Sequence, residues 1–193
     1  IRRIPKELIG DWKKYLVVFL FLVLTIGFVS GMYVANESMI TSAKEGVTKY
    51  KQEDGHFELK KQADATLLSA IETGEKADFK ATKTTLYENF FRNEEEDYNN
   101  DGKKDGTIRI FAKTKNINLA CMLQGSFPQK ADEIAIDRMH ADNVGIKVGD
   151  TVTVSGETYK VVGLLAYVNY STLHEKTTDL MFDALKFDVA MVT

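Results

Sequence analysis

The segment DYNNDGKKDG, residues 97–106, holds the side chains whose types and spacing come closest to metal chemistry. Asp97, Asn99, Asp101 and Asp105 fall at positions 1, 3, 5 and 9 of a calcium loop, with Gly102 at position 6, where the sharp turn is needed. Calcium takes about six to eight hard oxygens, and this spacing folds several carboxylate and amide oxygens towards one point. Position 12, however, is Ile108 in place of a bidentate acid, Lys103 and Lys104 add positive charge, and no helix pair flanks the loop. Two readings stay open: a calcium site, or a polar hairpin tip rich in turn-forming residues. The acidic run 94–97 reads as a solvated edge of the same loop.

Other chemistries find little support. There is no Gly-x-x-x-x-Gly-Lys-Ser/Thr phosphate loop. His56, His140 and His174 are scattered, without metal-ligand spacing, and no arrangement points to a hydrolase triad. The single cysteine, Cys121, lies in an apolar stretch and reads as a buried, inert thiol. Nothing marks a nucleic-acid surface. The site inventory therefore predicts no catalytic residue and no cofactor in this chain other than possible calcium.

The elements that would position such a loop begin with LVVFLFLVLTIGFVSGMYVA, residues 16–35, an apolar run without a charge. Twenty helical residues span about 30 Å, the hydrocarbon thickness of a bilayer. Before it stand Arg2, Arg3, Lys6, Lys13 and Lys14 against Glu7 and Asp11, which leaves 20 of 25 Lys+Arg and 26 of 28 Asp+Glu in residues 36–193, a net charge of −6 there. Basic residues mark the cytoplasmic end of a membrane helix, so residues 1–14 are placed inside the cell and residues 36–193 outside, in a cell-membrane protein. Trp12, Tyr15 and Tyr33 suit the aromatic belts at the two interfaces. A cleaved signal peptide is the rival reading, although its apolar core is shorter and Tyr33 stands where a small residue should precede the cleavage site. Gly27, Gly31 and Ala35 recur every four residues and make a small-residue strip of the kind that lets membrane helices approach closely.

The reading divides the chain into a basic interfacial segment (1–14), a transmembrane helix (15–35), a stalk helix (36–53) and a mixed α+β extracytoplasmic domain with β-hairpins (54–193). In the stalk, Ile40, Ala43, Val47 and Tyr50 recur at spacings of three and four and form a stripe that would pack on a second helix or on the domain; Gly46 interrupts it. Strands are predicted at HFELKK after Gly55, at 84–91, 107–112, 118–123 and 133–136. Helices are predicted at 64–73, ended by Gly74, and from the Asp137 cap to about Asn143. TVTV, a turn at Ser155-Gly156-Glu157 and YKVVGLL make a β-hairpin. Residues 178–185 read as a helix with Leu180, Met181, Ala184 and Leu185 apolar, and 187–192 as an alternating strand. The chain starts at Ile1 and stops after an apolar strand, so it is expected to be a fragment.

With these parts in order, the chain resembles the amino-terminal portion of an ABC-transporter permease subunit of the FtsX/MacB-like class. IPKELIGDWKKY leads into a first membrane helix, a stalk and an extracytoplasmic domain, and the most distinctive stretch is EIAIDRMHADNVGIKVGDTVTVSGETYKVVGLL, residues 133–165, preceded by GSFP at 125–128. Residues 92–106 look like an insertion. The resemblance implies three more membrane helices after residue 193, a second permease copy or a sister subunit, contact with membrane lipid, and a cytoplasmic ATPase partner. It further implies that ATP-driven motion is passed outward mechanically, with Gly27, Gly31 and Ala35 packing the moving helices and Ile40, Ala43, Val47 and Tyr50 coupling stalk to domain. The alternative is the extracytoplasmic sensor domain of a membrane-anchored receptor; a secreted enzyme with an uncleaved anchor lacks any site constellation.

Overall fold

The computed structural model describes residues 11–73, 85–176 and 178–193. Arg2, Arg3, Lys6, Glu7, Gly74 and Thr84 lie outside the described residues. Two compact units divide the chain, residues 1–45 and residues 46–193.

The first unit is the greater part of helix α1, Trp12–Lys49, 38 residues without a break. No charged residue interrupts its middle, and its apolar side chains point outward on every face: Phe21, Leu24 and Phe28 are each 70% exposed. An all-round apolar helix, its apolar window unburied among the described residues, matches a membrane span by length and composition. The helix carries the stalk stretch as far as Lys49, and Tyr50 to Glu53 continue in irregular backbone.

The second unit is built on seven strands among the described residues: β1 (Phe91–Asp97), β2 (Gly106–Ala112), β3 (Cys121–Gly125), β4 (Glu133–Asp137), β5 (Thr151–Val154), β6 (Glu157–Ala166) and β7 (Phe187–Val192). Helix α2 is Ala65–Thr73, capped by Asp64, whose Oδ1 accepts from Leu67 N at 2.7 Å; α3 is Arg138–Val144. The domain is α+β, but its sheet closes on itself. The order β6-β4-β7-β2-β1-β5 returns to β6, and β3 pairs along the same edge of β6 beyond β5. Closure pairs the other six strands around the ring, while β3 pairs with β6 alone among the described residues. The pairings β2–β7 and β4–β6 are parallel; the rest are antiparallel.

Two apolar clusters follow from the alternation of side chains along the strands. Ile108, Ile110, Ile134, Ile136, Val152, Val154, Val161 and Ala190 fill the bore. Phe111, Ala135, Leu165, Phe187, Val189 and Met191 face outward, beneath Tyr167, Leu173 and Ala184 of the segment before β7. β7 is therefore covered on both faces and is buried almost throughout.

Several predicted elements are corrected. Residues 56–61 carry no strand, and the barrel closes without them. The strand expected at 84–91 begins only at Phe91 and runs through the acidic run, so Glu94 to Asp97 are strand and not loop. The strand expected at 118–123 starts at Cys121, because Asn118 has φ +47° and the amides of Asn118 and Leu119 bond to the carbonyls of Lys51 and Tyr50. No helix forms at 178–185: a single turn closes where Lys186 and Phe187 bond back to the Asp183 carbonyl, and Leu180 is 97% exposed. The β5–β6 hairpin and the helix capped by Asp137 stand where the sequence placed them.

Candidate functional site

β1, β7 and α3 bring three titratable side chains together at one end of the bore. Glu96 lies on the same face as Val154, its partner across the β1–β5 ladder, and so points inward. Asp188 is the parallel partner of Ile108 and points inward for the same reason. α3 starts directly from β4, and its first turn sets His140 over this end. The cap makes that geometry: Asp137 Oδ1 accepts from Met139 N at 2.7 Å and His140 N at 3.3 Å, and Gly145 at φ +85° ends the helix with its N–H on the Ala141 carbonyl.

Glu96, His140 and Asp188 are each wholly buried, and one ligand atom from each lies within 4.8 Å of the others. His140 Nδ1 is 2.8 Å from the Ala184 carbonyl oxygen. A carbonyl can only accept, so Nδ1 carries a hydrogen and Nε2 is the atom turned towards the carboxylates, 3.4 Å from Glu96 Oε1. Asp188 Oδ1 accepts from Val189 N at 2.7 Å and Asp137 N at 3.2 Å. Both oxygens of Glu96, Nε2 of His140 and Oδ2 of Asp188 have no hydrogen-bond partner among the described atoms. The Tyr98 ring packs edge-on to the imidazole, with centroids 5.8 Å apart.

Burial alone would lower the His140 pKa, but the charge of Asp188 and the contact with Glu96 outweigh it and raise it to about 9. Burial pushes the Asp188 carboxyl well above the usual carboxylate range, partly offset by His140 and reinforced by Glu96 and Asp137. The two shifts differ in origin: neighbouring carboxylates raise His140 against its burial, whereas burial itself raises Asp188.

A second feature is a groove of about 610 Å³ whose lining includes His56, Glu58, Asn93, Arg109, His174 and Lys176. At its floor the buried Arg109 donates from Nε to Asn93 Oδ1 (2.8 Å), from Nη1 to the Tyr170 hydroxyl (2.9 Å) and from Nη2 to the Glu175 carbonyl (3.1 Å). Its guanidinium lies over Phe91, Phe187 and Tyr170 at 4.6, 5.5 and 5.9 Å. The guanidinium is thus committed to holding β1, β2 and the segment before β7 together.

The residues singled out from the sequence fall elsewhere. Asp97, Asn99, Asp101 and Asp105 do share one loop, but their oxygens serve the loop's own donors. Asp97 accepts from Asp101 N and Gly102 N, Asp101 from Lys103 N, and Asp105 from Asn99. Gly27 and Gly31 have no described atom within 4 Å of where a Cβ would stand, and Ala35 is exposed. Ile40, Ala43 and Val47 are exposed along α1; Gly46 is the buried position of that helix, against the Val168 side chain, and the Tyr50 hydroxyl bonds Cys121 Sγ at 2.8 Å. The bond to Cys121 is also the leading reason the Tyr50 pKa is raised. The buried cluster was missed because FRNEEED has no apolar alternation, and because Glu96, His140 and Asp188 are brought together only by the closed barrel. Comparison with protein-family models, curated proteins and solved structures yields no match.

Proposed function

We propose that this chain is the membrane-anchoring, domain-bearing part of an ABC-transporter permease subunit of the FtsX/MacB-like class. In this reading a partner ATPase, which holds ATP and magnesium, drives motion of α1, and the extracytoplasmic domain delivers that motion to an exported substrate or to a partner. A second permease copy or a sister subunit packs on Gly27, Gly31 and Ala35. The observation that carries the reading is the unbroken course of α1: one helix holds both the apolar run and the stalk stretch up to Lys49. A signal peptide would be removed near Ala35, in the middle of that helix.

The reading is tested on the chain in its native membrane. In a Cys121→Ser background, single cysteines placed at Trp12 and at the exposed Leu180 are challenged in intact cells with a membrane-impermeant maleimide, and the affinity-purified protein is probed for an ATPase subunit. The expected result is an uncleaved chain labelled at 180 and not at 12, with an ATPase in stoichiometric amount. A chain cleaved near residue 35 and released, or one that co-purifies with a signalling kinase in place of an ATPase, overturns the reading.

A further inference from the structure

We propose that Glu96, His140 and Asp188 form a structural site for one divalent transition-metal ion, zinc by donor set, inside the end of the barrel. Four buried polar atoms, both oxygens of Glu96, Nε2 of His140 and Oδ2 of Asp188, make no hydrogen bond among the described residues. Unpaired buried acceptors are costly, and facing carboxylates compound the cost. The 3.4 Å between His140 Nε2 and Glu96 Oε1 is too long for a charge-assisted hydrogen bond, which closes to about 2.7–2.9 Å. It is the separation expected of two ligands on one tetrahedral zinc: with bonds of about 2.0–2.1 Å, neighbouring ligand atoms stand about 3.4 Å apart.

The surroundings fit as well. The Ala184 carbonyl fixes the imidazole with Nε2 turned inward, and the amides of Val189 and Asp137 hold Oδ1 of Asp188 so that Oδ2 is left for the ion. Such outer contacts orient the ligands of real metal sites. Two carboxylates and a neutral imidazole neutralise a dication, so the bore would hold no net charge. The second oxygen of Glu96, also unpartnered, would complete the set by chelation, with a bite narrower than the other angles of the tetrahedron. One nitrogen with carboxylate oxygens suits zinc or manganese better than the all-oxygen preference of calcium. Complete burial leaves no open position, so the ion would tie β1, β7 and α3 together and take no part in a reaction. Its occupancy is independent of the permease reading.

The test uses tag-free full-length protein purified in detergent from zinc-replete cells. Elemental analysis should give about one zinc per chain. Removing it with a strong chelator during mild unfolding should lower the melting temperature, and added zinc should restore it. Cobalt refilled into the stripped protein should show visible absorption from the ligand field. Asp188→Asn is nearly isosteric and keeps the Oδ1 acceptor but replaces Oδ2 with a donor; it should lose the metal, the cobalt spectrum and all response of the melting temperature to zinc. The proposal is overturned if the wild-type chain carries no metal and its melting temperature ignores chelator, zinc and manganese alike. It is equally overturned if Asp188→Asn melts at or above the wild type, since then a proton on the imidazole, and no ion, fills the gap.

Discussion

Three glycines on or beside β6 separate the cost of backbone conformation from the cost of contact. Gly156, in the β5–β6 turn, has φ +85° and nothing within 4 Å of a Cβ. Gly163, in β6, has no positive φ, but its Cβ would stand 2.5 Å from the Ser126 carbonyl oxygen and 2.8 Å from Met122 Sδ. Gly125, at the end of β3 and paired with Gly163, has both problems: φ +75° and a Cβ 2.2 Å from the Val162 carbonyl oxygen. A left-handed alanine costs about 1–2 kcal/mol, and overpacking against backbone that cannot yield costs about 1–3 kcal/mol. Gly156→Ala should therefore lose about 1–2 kcal/mol, Gly163→Ala about 1–3, and Gly125→Ala about 2–5. At about 4 °C per kcal/mol for a domain of this size, Gly125→Ala should melt about 8–20 °C below the wild type and Gly156→Ala about 4–8 °C below. The assay is thermal loss of near-ultraviolet dichroism of the purified chain. If Gly125→Ala melts within about 2 °C of Gly156→Ala, then β3 does not lie on β6 and the course of the chain out of α1 is wrong.

Arg109→Met should cost about 3 kcal/mol, because Asn93, Tyr170 and the Glu175 carbonyl lose a shared charged donor; Arg109→Lys should recover only part of it in the same melts, since an ammonium does not match a planar fork with three partners. Asp137→Ala should cost about 1 kcal/mol through loss of the α3 cap, and Asp137→Asn should restore most of that stability. Glu133 has its pKa lowered first by the Gln129 amide, with the Lys130 amide helping. A folded-state pKa below the ordinary 4.5 means that its contribution is present above that pH and fades as pH falls through the folded value. Exchange protection of the Gln129 and Lys130 amides should accordingly fall below pH 4.5, and Glu133→Gln should abolish the transition.

The parts legible from sequence were those whose signals are local. Ser155 and Gly156 both take positive φ, as a two-residue hairpin turn requires, and the flanking runs pair as expected. Asp137 caps a helix because its side chain needs only the next three residues. The failures are tertiary. Glu94 to Asp97 of β1 read as a solvated loop edge because all four are acidic; they are strand because β2 and β5 need a partner on that side of the ring. Residues 178–185 have helical apolar spacing, yet Leu180 and Met181 face solvent while the Ala184 carbonyl is committed to His140. The candidate metal residues come from three elements, spaced by 44 and 48 positions, and no spacing rule links them before the barrel closes.

The end of α1 is held at two places that meet again in the sheet. Past Lys49, the carbonyls of Tyr50 and Lys51 accept from Leu119 and Asn118, and the Tyr50 hydroxyl reaches Cys121, the first residue of β3. Asn118 returns to the same strap, accepting from Glu53 N at 3.0 Å and donating to the Glu53 carboxylate. On the other flank, Gly46 abuts Val168, just beyond the last residue of β6. β3 and β6 pair with each other, and β6 pairs on with β4, whose end carries α3 and His140. On the permease reading, a pull on the helix end therefore loads the β3–β6 ladder before it can reach the bore. Gly125 and Gly163, paired across that ladder with no room for a Cβ, are then the positions where transmission should fail first, and an ion tying β1, β7 and α3 would keep that end of the barrel from yielding under the same load.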